Sequence, residues 1–449
     1  MRMRLRRASE TIYLSGGDGS TILGCTYHDT AADGDTEKVT ETIDVVLEGA
    51  AASVVANVRT IESWLEEAKA YQTGDSDDRI WLEIDLLDTD DWWRSEILSG
   101  MVSRSTSMRM LKAGQLLIGV QVTRNNWLEA YAETSVPISN GNGTDVTTGL
   151  PVFNCSDGAG ASPAIRHNWV GIAANVIQGT IPAPARLELT NSYDSSADLG
   201  IVWVGHNWRS DPTNLAHVLE AEAASGGTAV DHAGSSGGQY KSVVVADGSE
   251  QTMLTWTLST NLLNAARGRF FKIFMRRSLG IDTGMLYRLK LLDDTVTVWS
   301  GGQALVENSV RTINPIDVVQ LPPWLPGQTG VRGMKLVLTG QRASTGSLTV
   351  YPDYLMLMAL DSYREIALIG MGVEYGRRLI DDPIDGVYAD DGSGGLRSGE
   401  FTPRGPGIWL KPLAAQRLFF LMHGNTILDG PISRSLSVVV KYRPRRLRL

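Results

Sequence analysis

At 449 residues and a net charge of −9, the chain is long enough for about three domains and acidic enough to repel nucleic acid. Its hydrophobic content of 43% supports packed cores, yet no apolar run reaches the roughly 18 residues of a membrane span. With 47 glycines, 12 tryptophans and many short apolar runs, the composition leans towards β architecture, since tight turns need glycine. Cys25 and Cys155 define neither a disulfide framework nor a zinc site.

Met1 to Arg7 is basic but is not followed by an apolar core, so it does not read as a signal peptide. Thr11–Leu14 reads as a short strand, closed by a glycine cluster that lacks the Gly-Lys-Ser/Thr ending of a phosphate loop. Thr42–Leu47 alternates Ile43, Val45 and Leu47 and reads as a strand. The spacing of Val54, Val58, Ile61, Trp64, Leu65, Ala68 and Tyr71 predicts an amphipathic helix over 53–71, with Ser53 as its cap and Gly74 just past its end. Closely spaced strands follow at 80–86, 92–102, 109–111 and 116–122, an antiparallel sheet with the helix laid on it. The aspartates at 75, 77, 78, 88, 90 and 91 lack the spacing of an oxygen-ligand loop and read as turn formers.

Residues 135–162 are rich in Ser, Asn, Gly, Thr and Asp and read as a long loop or an extended arm. At Ile181-Pro182-Ala183-Pro184 two prolines stiffen the backbone, and the alternation of Leu187 and Leu189 begins a new strand, so one unit ends here and another starts. From there about ten strands, spaced by turns, extend to Met358, the pattern of a β-sandwich or jelly roll. After Tyr363 a polar loop leads to three more strands, at 408–410, 416–422 and 436–442, which either make a small terminal sheet or close the first domain.

Charge is uneven. Arg2, Arg4, Arg6 and Arg7 open the chain and Lys441, Arg443, Arg445, Arg446 and Arg448 close it, leaving 32 basic against 50 acidic residues between them. Such basic ends on an acidic body suit a neighbouring subunit's acidic surface or nucleic acid; solvated tails are the alternative. The acidic body argues against a DNA-binding protein. The six histidines, His28, His167, His206, His217, His232 and His423, form no His-Glu-x-x-His pair, and no Gly-x-Ser-x-Gly elbow is present. Trp203, Trp208 and His206 lie near a strand end and are candidates to stack on a sugar ring, with core or interface packing as the alternative.

Leu219-Glu220-Ala221-Glu222, the later Ser236-Gly237-Gly238, Arg276 on a middle strand and Tyr351-Pro352-Asp353-Tyr354-Leu355 resemble the galactose-binding-type jelly roll of family 6 and family 35 carbohydrate-binding modules. That resemblance implies a structural calcium held by Glu220, Glu222 and Asp353; exposed strand carboxylates are the alternative. The overall layout, with the terminal run from Gly407 to Leu421, is similar to structural proteins of tailed bacteriophages, above all distal tail proteins and related minor tail or baseplate-hub proteins.

Together these readings give a mainly β fold: an N-terminal β-sandwich or barrel with one packed α-helix, a galactose-binding-type jelly-roll β-sandwich, and a small C-terminal β segment. The expected domains are 1–135, an arm and hinge at 136–182, the jelly roll at 183–363, and 364–449, which is free to complete the N-terminal domain. The implied role is non-enzymatic: a virion component, assembled in the host cytoplasm as a symmetric ring, hexameric by the resemblance. It would join the tail tube to hub or tail-tip proteins and, through the jelly roll, meet a host surface glycan. The alternatives are a cell-surface carbohydrate-binding (lectin-like) protein and a polysaccharide-degrading enzyme.

Overall fold

The first strand, Arg2–Arg7, sets the pattern of the N-terminal sheet: Met3 and Leu5 point into the core while Arg2, Arg4 and Arg6 alternate on the other face. The structure, a computed structural model, describes residues 2–15, 22–26, 38–85, 87, 89–104, 115–154, 167–192, 198–207, 218–232, 234–266, 268–277, 284–305, 312–322, 333–368, 372–390, 393–424 and 435–447. The fold is mainly β with one long packed helix. It divides into two units: Met1–Thr134 with Gln178–Ala183 and Arg443–Leu449, and Ser135–Ile177 with Pro184–Tyr442. The boundary at 183/184 falls inside the expected proline hinge. The segment after 363 is split: everything to Tyr442 belongs to the second unit, and only the last seven residues return to the first.

In the first unit one antiparallel sheet runs in the order Glu10–Ser15, Arg2–Arg7, Ile80–Asp85, Trp93–Arg104, Gln115–Asn125, Lys38–Glu48, Ile22–Thr26, with Leu128–Ala130 joining Trp93–Arg104 to Arg445–Arg446. The helix spans Ala51–Thr73 and buries the expected stripe from Val54 to Ala68. It packs chiefly on the strand Trp93–Arg104 rather than on Ile80–Asp85. Ser53 is not its cap; Ala50 holds the N-cap position with no side-chain bond, and Gly74, at φ 81°, closes the C-terminus with its N–H on Tyr71. Lys38–Glu48 puts every second residue inside, which places Glu41 in the interior, where Arg124 pairs with it at 2.7 Å.

Most of the basic side chains described at the two ends are paired within the chain rather than solvated tails; Arg448 lies outside the described residues. Arg2 pairs with Asp85 and Arg4 with buried Glu83, each at 2.5 Å, while Arg4 also stacks on Trp92 at 3.7 Å. Arg7 holds Glu67 at 2.7 Å. Arg445 reaches Glu129 at 3.3 Å and stacks on Trp127, Arg446 lies over Trp93, and Lys441, in the second unit, holds Glu188 at 2.7 Å.

The second unit is a sandwich carrying another sandwich as an insertion. The enclosing pair has one sheet ordered Gly143–Val146, Ile138–Asn140, Trp169–Ile172, Gln416–Gly424, Leu199–Asn207, Tyr363–Leu368, Phe401–Arg404. The facing sheet runs Leu150–Phe153, Ser435–Tyr442, Ala183–Asn191, Arg378–Asp382, Gly386–Asp390, Leu396–Ser398. Strands from either end of the unit therefore pair: Leu199–Asn207 lies between Gln416–Gly424 and Tyr363–Leu368. Residues 138–153 supply three strands of this sandwich, so that part of the expected arm folds back on its own chain; residues 155–166 lie outside the described ones.

Residues 218–362 form the insertion, so the expected jelly roll starts later than 183. Its sheets are Val218–Glu220, Pro352–Ala359, Phe270–Arg277, Ile313–Gln320; Thr228–Asp231, Gln239–Val245, Leu348–Val350; and Gln251–Thr257, Met334–Arg342, Met285–Asp293, Val296–Ser300. Pro352–Ala359 is buried along its whole length. Leu355, Leu357 and Ala359 enter the insertion's own core, while Tyr354, Met356 and Met358 face a second cluster with Trp203, Tyr363, Phe419 and Leu421 of the enclosing sandwich. The continuous apolar run Tyr354–Ala359 is the sequence trace of a strand covered on both faces.

Candidate functional site

The carboxylates Glu220, Glu222 and Asp353 do gather around one short turn, Ser236–Gly238. Ser236 donates its backbone N–H to Asp353 at 3.0 Å and its hydroxyl to Glu220 Oε1 at 2.8 Å, and the Glu222 carboxylate lies against Gly237. They are not exposed strand carboxylates: Asp353 is fully buried. What neutralises Asp353 is Arg276, on the neighbouring strand, whose equally buried guanidinium bonds its Oδ2 and donates to the Gly234 carbonyl at 3.2 Å. Burial pushes the Asp353 carboxyl up to about 6 despite that guanidinium, and Glu222 adds to the rise. The donor chemistry suits calcium, but Asp353 already holds a cation, and among the described residues no group of three His, Cys, Asp or Glu side chains is arranged to hold a metal. The residues fit an arginine-centred cluster rather than the ion.

The expected sugar contacts are corrected. Trp203 is buried, tilted against Phe274 at 5.2 Å, and donates Nε1–H to Glu365 at 3.0 Å. His206 is buried too: Nε2 donates to Gln416 Oε1 at 3.0 Å and Nδ1 accepts from Ser362 Oγ at 2.7 Å. That tautomer follows because Gln416 receives the Lys411 N–H on the same oxygen and donates its own N–H to the Lys411 carbonyl. Neither ring can lie flat on a sugar, because Leu199–Asn207 is covered on both sides. Trp208 lies outside the described residues.

Glu365 is the hub of a network between the two sandwiches. Its Oε2 accepts from Lys272 Nζ at 2.8 Å, from Tyr363 OH at 2.7 Å and from Trp203. Burial alone would raise its carboxyl, but the bonds from Lys272, Tyr363 and Trp203 outweigh this and hold it below the usual range.

A concave site lies instead in the enclosing sandwich. Pro184, Arg364, Asp381, Asp382, Pro406 and Trp409 are among the residues lining a cavity of about 270 Å³. Asp381 and Asp382 end the strand Arg378–Asp382 and are both buried. Arg364 grips Asp381 bidentately at 2.8 and 2.6 Å. Burial nevertheless holds the Asp381 carboxyl above its usual range, the guanidinium pulling the other way. Asp382 accepts the N–H groups of Ile384 and Asp385 at 2.8 and 3.1 Å and lies 3.3 Å from Arg186. Sequence reading passed over this site because its residues come from four separate segments; Pro406-Gly407-Ile408-Trp409, a turn ending on an aromatic, was the one local signal.

No family model matches the chain, and no curated protein matches its sequence.

Proposed function

We propose that the chain is a non-catalytic structural subunit of a phage-like tail, a distal tail or tail-tip ring protein that joins the tube to the baseplate or receptor-binding apparatus of a virion assembled in the host cytoplasm. Its work is mechanical: β surfaces dock on further copies, closing a symmetric ring, and on tube and hub proteins. The observation that carries this reading is the rim of the inserted sandwich. There Val296–Ser300 pairs on one side only among the described residues, and Val296 and Val298 are 64% and 53% exposed. Gly301, directly after it, lies against the carboxylate of Asp317 in Ile313–Gln320, the outermost strand of the facing sheet, where Val318 is also exposed. Two strand edges with apolar side chains thus meet at one rim. Proteins that stay monomeric blunt such edges with Lys or Pro; Val296–Ser300 carries neither, while Ile313–Gln320 carries Pro315.

Light scattering on the purified chain tests the reading. The expected result is a closed oligomer, converted to smaller species by Val298→Lys at unchanged melting temperature. A wild-type chain that stays monomeric at micromolar concentration, or an oligomer indifferent to Val298→Lys, contradicts it.

A further inference from the structure

The cavity beside Trp409 is lined by the enclosing sandwich alone, not by the insertion that carries that rim. The apolar part of its lining includes Trp409, 37% exposed, with Pro184, Pro406 and Ile408. The ring is held in place, since Nε1 donates to the Pro406 carbonyl at 3.3 Å, and the backbone under it is fixed by the Ala185 N–H on the Ile408 carbonyl at 2.8 Å. The polar groups of the cavity are rigid too. Asp381 is clamped by Arg364, and Arg364 also donates to the Gly405 carbonyl at 3.4 Å. Asp382 is fixed by two backbone N–H groups.

Charge decides between ligand classes. Two carboxylates line the cavity, but Arg364 neutralises one and Arg186 stands beside the other. A cationic side chain entering there would meet the Arg364 guanidinium, and an anion would meet two carboxylates. What remains is a set of preplaced acceptors and guanidinium N–H donors next to apolar side chains, with Asp382, the one carboxylate that Arg364 does not pair, answered from outside the lining by Arg186, which Glu188 shares. A polyhydroxylated ring matches this: one face of C–H groups for the indole and a rim of hydroxyls that both donate and accept. The volume, about 270 Å³, sits just below the roughly 300 Å³ at which pockets for drug-sized ligands begin, which suits one sugar ring.

We propose that the cavity lined by Trp409, Asp381, Asp382 and Arg364 is a binding site for a neutral saccharide, one ring of which stacks on Trp409. The inference is independent of ring assembly, which the oligomeric state reads separately.

Saturation-transfer NMR on the full chain, with glucose, galactose, mannose, rhamnose, N-acetylglucosamine and N-acetylgalactosamine offered in turn, tests it. At least one sugar is expected to bind, and Trp409→Ala is expected to weaken it at least tenfold while leaving the melting curve unchanged, because this ring is partly exposed. Asp382→Asn, which keeps the shape and an acceptor oxygen, should weaken binding less. Silence from all six sugars, binding that survives Trp409→Ala, or saturable binding of N-acetyl-arginine amide in place of a sugar would each overturn the proposal; the last would mark the cavity as a pocket for a basic peptide side chain.

Discussion

Replacing Arg276 by Met is the sharpest probe of the buried carboxylate cluster. Both members of the Arg276–Asp353 pair are fully buried, so removing the guanidinium leaves Asp353 with the Ser236 N–H as its one remaining described donor. Breaking a buried pair from one side costs about 3–5 kcal/mol. The cost depends on pH in a way that isolates its cause. In the folded wild type the Asp353 carboxyl titrates near 6, against 3.8 for an ordinary aspartate. Between these values the native state binds more protons than the unfolded one, so this group's contribution to stability falls as pH rises through the window and is level above it. At about 1.36 kcal/mol per pH unit the fall amounts to about 3 kcal/mol. Without Arg276 the folded value moves higher still, so the deficit of the variant should grow from pH 5 to pH 8. Urea unfolding at several pH values, with hydrogen exchange of the peptide covering Ser236 as a local reading, measures this. Arg276→Met with Asp353→Leu, which removes both charges, should recover most of the loss. A deficit of about 0.5 kcal/mol, the scale of a surface change, or one that does not vary with pH, would refute the reasoning.

Trp64→Ala empties the centre of the helix stripe and should cost about 3–5 kcal/mol in the unfolding of the first unit; a neutral result would show that the helix does not hold that sheet. Added calcium should leave the melting temperature of the chain unchanged, because Arg276 already holds Asp353; a rise with calcium would show the ion displacing the guanidinium. Gly405→Ala should destabilise by about 2 kcal/mol or more, since Gly405 has φ of 91° and a methyl there collides with the Tyr363 carbonyl; an unchanged melting curve would mean that this turn relaxes freely.

What the sequence made legible was local. The 3.6-residue spacing from Val54 to Ala68 marked the helix and its buried face correctly, and Gly74 marked its end, because both signals lie within a few residues of what they specify. The start was misplaced because Ala50 caps the helix with its backbone alone, which leaves no side-chain signature. Period-2 alternation found the strands but not their partners. Leu187 pairs with Val440 and Val202 with Met422, each across more than 200 positions, and nothing in either segment names the other. The nested insertion was therefore invisible, and the jelly roll was started at 183 instead of 218. The N-terminal arginines were read as a charged tail although Arg-Met-Arg-Leu-Arg alternates; the alternation placed Met3 and Leu5 inside, and charge count hid it. Of the site residues, the turn holding Glu220, Glu222 and Asp353 was legible as motifs, whereas the cavity beside Trp409 needed the fold to bring its parts together.

The position of His206 and Trp203 bears on how the insertion is held. The chain leaves the enclosing sandwich after Asn207 and re-enters through the turn Leu360–Ser362 into Tyr363. His206 joins Ser362 to Gln416 across that neck, so the outgoing strand, the returning turn and a third strand are tied by one imidazole. A few residues away Lys272 of the insertion reaches Glu365 of the enclosing sheet, and Tyr354 OH donates to the Asn154 carbonyl at 3.1 Å. Between these polar ties lies the apolar cluster of Trp203, Phe274, Tyr354, Met356, Met358 and Phe419. A neck with apolar contact alone would let the insertion slide, because dispersion has no preferred direction; directional bonds on both chain crossings remove that freedom. Trp203 and His206, which looked suited to touching a sugar, are thus committed to fixing one sandwich on the other, and the rim at Val296–Ser300 is carried on a mount with a defined orientation.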